Sequence, residues 1–317
     1  NTAAAHFGVA QNGTLAYMPA ESATQFVNVL YDLNSGKAVT VNDPGGRFPR
    51  VSPDAKQVAS EAVGGDLLFV SMLDGSISSR RLNAQTSTPN FSAVWSPDGT
   101  RIAYRSERKK DSGIYTIRAD GMGGETQMLP VLGWPMGWTK DDRFFYVAGG
   151  KLWKWWPGGR PEITAELGPE VPEIVESRVS ISPDGRWAAY HSFPPDRPGA
   201  VTYVQSTERT DAKFEVAITA HSPAWSPDGR HLYYVTQGTN HLMVVDVEMT
   251  PTVTFRNPRQ VVPEIFQISA LPFRNYDVMP DGRHILMQLP DRSDPRAQQV
   301  EVILNWTEEL KRLVPAR

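Results

Sequence analysis

Phe91-Ser-Ala-Val-Trp95, Ser96-Pro97-Asp98-Gly99 and Arg101-Ile-Ala-Tyr104 form one phrase: a strand-like run, a tight turn, and a second strand-like run. Pro presets φ at the second position of a type I turn, Asp suits the third, and Gly accepts the positive φ that follows. The phrase therefore predicts a hairpin of two antiparallel strands. The same turn recurs as Ser52-Pro53-Asp54-Ala55, Ser182-Pro183-Asp184-Gly185, Ser226-Pro227-Asp228-Gly229 and Met279-Pro280-Asp281-Gly282. Worn copies stand at Thr139-Lys140-Asp141-Asp142 and Gln11-Asn12-Gly13. From residue 12 to 54, 98, 141, 184, 228 and 281 the steps are 42, 44, 43, 43, 44 and 53 residues. A period of about 40–45 residues with four strand-like runs per unit marks the blade of a β-propeller.

The chain has 317 residues, and a unit of about 44 residues predicts an all-β propeller of seven four-stranded blades. A six-bladed ring with one repeat rearranged is the alternative. Blades bury a core only against their neighbours, so residues 1–317 are expected to form a single domain. Third strands are expected at Phe26 to Leu33, Asp66 to Leu73, Gly113 to Arg118, Lys151 to Trp156, Val201 to Gln205 and His241 to Val247. More polar fourth strands follow, as in Lys37 to Val41 and Lys213 to Thr219. The seventh unit offers Tyr276–Met279, His284–Leu289 and Val300–Trp306 but no clear fourth strand. Beyond it, Leu310, Leu313 and Val314 share one helical face, which predicts a short C-terminal helix covering the last blade.

Composition sets limits on function. The formal net charge of −3 offers no electrostatic case for nucleic acid or an anionic membrane surface. No run approaches the roughly 18 apolar residues of a membrane helix, so no membrane insertion is expected. The absence of Cys excludes disulfides, thiolate metal sites and Cys nucleophiles. Asn1-Thr-Ala-Ala-Ala5 reads as a cut or mature start rather than a natural Met start. Catalytic signatures such as Gly-x-Ser-x-Gly and His-Glu-x-x-His are missing, and Gly121-Met-Gly-Gly124 reads as a turn.

The Ser-Pro-Asp-Gly phrase followed by Ile-Ala-Tyr resembles the TolB-like propeller repeat. His6-Phe-Gly-Val-Ala-Gln-Asn-Gly-Thr-Leu-Ala-Tyr17 and Val302-Ile-Leu-Asn-Trp-Thr-Glu-Glu-Leu-Lys-Arg-Leu-Val-Pro315 resemble the borders of the propeller attached to bacterial serine/threonine protein kinases of the eukaryotic type. Tyr276-Asp-Val-Met-Pro-Asp-Gly-Arg-His-Ile-Leu-Met287 is similar to the same family. Arg197 to Arg209 departs from the family's Pro-Gly-rich phrase, and the chain holds no kinase motif. The chain is then either an excised domain or a free-standing relative. The resemblance implies a periplasmic or extracellular bacterial sensor, a monomer that recognises a peptide, protein or small anionic ligand.

The turn Asp recurs in every unit, so its role is structural. A single binding site requires residues that differ between blades. Seven residues of strand span about 23 Å, so residues about seven before and about seven after each turn gather at the opposite face, around the channel mouth. Those places hold His6, Arg47, Phe91, Trp134, Arg178, His221 and Arg274 before the turns, and Glu61, Arg105, His191 and Gln288 after them. Three readings are open. The mouth is a solvated polar rim; or it binds a carboxylate-bearing ligand through Arg47, Arg178 and Arg274, with Glu61, Arg105, Trp134 and His221 around it; or His6, His191 and His221, with Glu61, hold a divalent metal in the channel for a free-standing lyase or hydrolase. Arg178 and His221 begin adjacent inner strands and are the leading single candidates.

Overall fold

The computed structural model describes residues 7–10, 12, 14–17, 26–41, 46–61, 68–73, 79–82, 89–167, 179–209, 211–249, 252–262, 274–290, 301–304 and 306. The chain divides into two compact units, Asn28–Leu289, and Asn1–Val27 with Pro290–Arg317. The strands begin with β1 (Phe7–Val9), β2 (Leu15–Tyr17), β3 (Phe26–Asp32) and β4 (Ala38–Val41). Five four-stranded antiparallel sheets follow in unbroken chain order. They are β5 (Arg47–Val51), β6 (Gln57–Glu61), β7 (Leu68–Met72) and β8 (Ser79–Arg81); β9 (Asn90–Trp95), β10 (Arg101–Ser106), β11 (Gly113–Arg118) and β12 (Thr126–Leu129); β13 (Trp134–Trp138), β14 (Phe144–Ala148), β15 (Lys151–Trp155) and β16 (Glu162–Glu166). The last two are β17 (Ser180–Ile181), β18 (Trp187–Ser192), β19 (Val201–Ser206) and β20 (Lys213–Ile218); and β21 (Ala220–Trp225), β22 (His231–Thr236), β23 (Leu242–Glu248) and β24 (Thr254–Gln260).

The closing blade combines the two ends of the ring. β25 (Tyr276–Val278) and β26 (His284–Pro290) continue into β3 and β4, in the order β25-β26-β3-β4. The first strands pack in a closed circuit: β5 on β9, β9 on β13, β13 on β17, β17 on β21, β21 on β25, and β25 back on β5. The propeller therefore has six four-stranded blades, which corrects the expectation of seven. The physical reason lies in closure. Sharing one blade between N- and C-terminal strands joins the first blade of the ring to the last, and the Arg283–Asp32 ion pair at 2.6 Å holds the two halves of that blade together. Phe26 to Leu33 is thus the third strand of the last blade, not of a first one. The Asn12 hairpin, β1 with β2, pairs instead with β27 (Glu301–Ile303) in a separate three-stranded sheet. Every element among the described residues is a strand. The helix expected across Leu310 to Val314 is not among them, and 307–317 lie outside the described residues.

The repeated turn folds as its chemistry dictates. Ser96 Oγ donates to Asp98 at 2.5 Å, Asp98 accepts the Thr100 N–H, and the Gly99 N–H closes on the Ser96 carbonyl at 2.9 Å. Ser52, Ser182, Ser226 and Thr139 repeat the Ser-to-Asp bond at 2.5–2.6 Å. The Ser96 hydroxyl, with the Thr100 N–H, holds the Asp98 carboxyl down at about 2. Ala55 (φ 59°) and Asp142 (φ 63°) adopt the same left-handed conformation that Gly takes elsewhere. The core lies between blades rather than within them. Ala59, Val70 and Leu82 of one blade pack with Trp95, Ile102 and Tyr104 of the next, and Val204 packs with Trp225 and Leu232. Each such fully buried aliphatic side chain contributes about 1.5–3 kcal/mol. Trp153 and Trp155 join Ile114 and Leu129 of the neighbouring blade, as the shared face of their strand predicts.

Candidate functional site

The first strands are bulged where they meet the channel. Register shifts interrupt the pairing of β5, β9, β13 and β21 with their second strands. Six residues before the turn Asp, Phe48 (φ 55°), Ser92 (φ 58°) and Ser222 (φ 53°) are left-handed. A bulge frees backbone groups from the ladder, and the preceding blade satisfies them. Glu61 Oε1 accepts the Ser92 N–H at 2.6 Å, His191 Nδ1 accepts the Ser222 N–H at 3.4 Å, and Gln288 Nε2 donates to the Gly46 carbonyl at 2.6 Å. The position seven after the turn is therefore an inter-blade tie in four of the six blades, Arg105 reaching the Leu132 carbonyl at 3.5 Å in the fourth, and Glu61 and His191 are both committed to it. Burial pushes the Glu61 carboxyl up to about 7, against the opposing pull of the Ser92 N–H and the Arg50 charge.

Within the ring lies a cavity of ≈ 30 Å³, lined from all six blades by Arg50, Ser92, Met136, Val179, Ser222 and Arg274 among others. Arg50 Nη1 donates to the carbonyls of Pro49 (2.8 Å) and Arg274 (3.0 Å). Burial, then repulsion from Arg274, lower its pKa to about 10. Arg274 pairs with Asp277 at 2.8 Å and donates from Nε to the Tyr276 carbonyl. The other Asp277 oxygen accepts the Val51 N–H at 2.9 Å. Tyr276, fully buried, donates to the Ser222 carbonyl at 2.7 Å and braces β25 against β21.

The expected mouth residues separate into groups. Arg105 lies 4.2 Å over the Trp134 ring, pairs with Glu107, and caps a cluster in which Trp134 packs with Phe48, Phe91 and Met136. His191 and His221 stand with ring centroids 6.0 Å apart. Arg274 reaches Arg50 and Asp277 in the channel. Arg47 is half-buried at the start of β5, opposite Glu61 in register, with no ion pair among the described residues. His6 and Arg178 lie outside the described residues. Arg50 and Asp277 were missed by counting only to the strand ends. Four before the turn Asp the blades carry Arg50, Val94, Gly137, Ser180, Ala224 and Asp277. Two charges among small residues at one offset, on adjacent inner strands, were a legible signal.

Among the described residues no group of three or more His, Asp or Glu is placed to hold a metal. With His191 Nδ1 receiving an N–H, the neutral ring carries its proton on Nε2 and has no lone pair left for a metal. The His pair therefore does not fit a metal centre in this arrangement.

No family model and no curated protein matches the sequence. Solved structures do match in fold. A protein described as TolB from Agrobacterium tumefaciens aligns with TM-score 0.61 and 16% identity over 84% of this chain and 98% of that one. TolB from Acinetobacter baumannii aligns with TM-score 0.55 and 16% identity over 90% of this chain and 66% of that one. An oligogalacturonate lyase in complex with manganese aligns with TM-score 0.54 and 13% identity over 90% of this chain and 97% of that one. None of these carries over the expected link to kinase-attached propellers. At these identities the likeness is one of fold: the chain is similar to TolB-like β-propellers.

Proposed function

We propose that this chain is a binding propeller that acts outside the bacterial cytoplasm and recognises a peptide, protein or small anionic ligand at the channel end opposite the Pro-Asp turns. The observation that carries the reading is the convergence of two guanidiniums, Arg50 and Arg274, on a cavity lined from every blade. Two Arg face one ion-paired carboxylate, Asp277, and a Glu61 whose burial keeps it partly protonated near neutral pH. Arg is suited to carboxylate recognition because its planar fork matches both oxygens. Near the same end, half-buried Phe91 packs on the buried Trp134 ring, which Arg105 covers. The extracytoplasmic location rests on the resemblance of the repeat to TolB-like propellers.

Calorimetric titration with peptides bearing free or blocked termini tests the reading. An Arg47→Ala, His221→Ala double variant is expected to keep its melting temperature and lose ligand. Survival of binding in that variant, with loss on Arg186→Ala at the turn face, would place the site at the wrong end. The second reading, a metal-assisted lyase or hydrolase, draws on the lyase of similar fold alone, because the His191–His221 pair as arranged does not fit a metal. Metal analysis of protein purified without added metal separates the two. Stoichiometric metal, lost in a His191→Ala, His221→Ala variant, would favour the enzyme.

A further inference from the structure

We infer that Arg50, inside the channel beside Arg274, anchors a single carboxylate, carried by a small organic acid or by the free C terminus of a peptide ending in an apolar residue. This rests on the binding reading above and assigns it a ligand chemistry and an anchoring atom set. Arg274 is fully engaged: Nη2 holds Asp277, Nε the Tyr276 carbonyl, and Nη1 makes long bonds of 3.4–3.5 Å to Pro223 and Ser180. Arg50 is not. Its hydrogen bonds both leave from Nη1 and both end on backbone carbonyls, so Nε and Nη2 have no acceptor among the described residues. It makes no ion pair there, although it lines the cavity.

A half-buried guanidinium held only by neutral oxygens is costly, because desolvation is not repaid by a counter-charge. Asp277, whose oxygens hold Arg274 and accept the Val51 N–H, acts on Arg50 through space and makes no ion pair with it. Glu61 bonds the Ser92 N–H and is driven toward its neutral form by burial. An incoming carboxylate would accept from the unused edge of Arg50 and neutralise the excess positive charge. The two Nη1 bonds fix the guanidinium plane beforehand, which lowers the ordering cost of binding. Besides the two Arg, Ser92 and Ser222, the wall is apolar: Val94, Pro135, Met136, Val179 and Pro223. A hydrated inorganic anion or a polyanion would gain nothing from that wall, whereas a short aliphatic group beside a carboxylate would rest against it.

Titration calorimetry of the full chain uses three probes: isovalerate, a leucine-terminated tripeptide with a free carboxylate, and the same tripeptide amidated. Saturable binding is expected for the free-acid tripeptide or for isovalerate, and which of them binds tighter identifies the source of the carboxylate. The amide should bind at least about tenfold more weakly. Arg50→Gln should weaken the carboxylate about ten- to hundredfold, the loss of a charge-assisted pair of hydrogen bonds. Arg50→Lys keeps the charge without the fork and serves if the Gln variant melts early; it should still lose most of the affinity. Arg118→Gln, at the outside of a blade, should bind as the parent does. Equal binding of acid and amide, undiminished in both Arg50 variants, overturns the anchor while leaving a binding propeller intact. No saturable binding of either carboxylate below about 10 mM overturns it as well.

Discussion

Glu61→Gln should flatten the dependence of stability on pH. Glu61 is buried at the end of β6, and its folded pKa of about 7 stands above the ordinary value of 4.5. A carboxyl raised in the folded state is protonated in both states at low pH, so its stabilising share is whole below about 4.5. As pH rises, the unfolded chain ionises first and the folded one resists, so stability falls until pH passes about 7. The full displacement corresponds to about 3 kcal/mol, and about 2.5 kcal/mol of it is lost between pH 5 and pH 8. Gln keeps an oxygen for the Ser92 N–H at 2.6 Å but has no charge to bury. Urea unfolding followed by Trp fluorescence at pH 5 and pH 8 measures the difference. The wild-type chain should lose more stability across that interval than the variant, by about 2–3 kcal/mol. The same drop in both chains would refute the assignment of a strained, buried carboxylate at this position.

Gly185→Val should cost more than Gly282→Val. Both glycines are left-handed, but a Cβ at 185 would meet Thr139 at 3.0 Å and Arg143 at 3.2 Å, whereas nothing lies within 4 Å at 282. Thermal melts should show about 1–3 kcal/mol of strain at 282 and a larger loss at 185; equal melts would deny the proposed contact. Trp134→Ala removes a buried ring packed on Phe91 and roofed by Arg105, and should destabilise by about 3–5 kcal/mol in denaturant titrations. Asp277→Ala leaves both the Val51 N–H and Arg274 without their acceptor and should cost about 3 kcal/mol, while Asp277→Asn, still able to accept from Val51, should cost less.

The inner hairpins were legible because they carry their own punctuation. Ser-Pro-Asp-Gly states turn type and offset together, so all five blades from Arg47 to Gln260 could be read from it. Outer strands have no such mark. Phe26–Asp32 was assigned to the hairpin that precedes it in sequence, whereas hydrogen bonding places it beside β26 from the other end of the chain. Counting turns therefore gave seven units where closure makes six. In the site, the offset named Arg105, Trp134 and Arg274 as separate residues of the mouth, but not the contact of Arg105 with the Trp134 ring. Glu61 and His191 did not keep their expected roles, because a backbone bulge in the next blade claims their acceptor atoms, and bulges leave no residue signature when Phe48, Ser92 and Ser222 adopt them. Arg50 was readable only by comparing blades at a position within the strand.

A crystal structure of the full chain grown in isovalerate tests the central claim most directly. The account predicts a carboxylate within hydrogen-bonding distance of Arg50 Nε and Nη2, inside a ring of six blades whose last is closed by β3 and β4. A carboxylate seated on the Pro-Asp turn face, or a ring in which β3 leaves β26 to build a seventh blade, would contradict it.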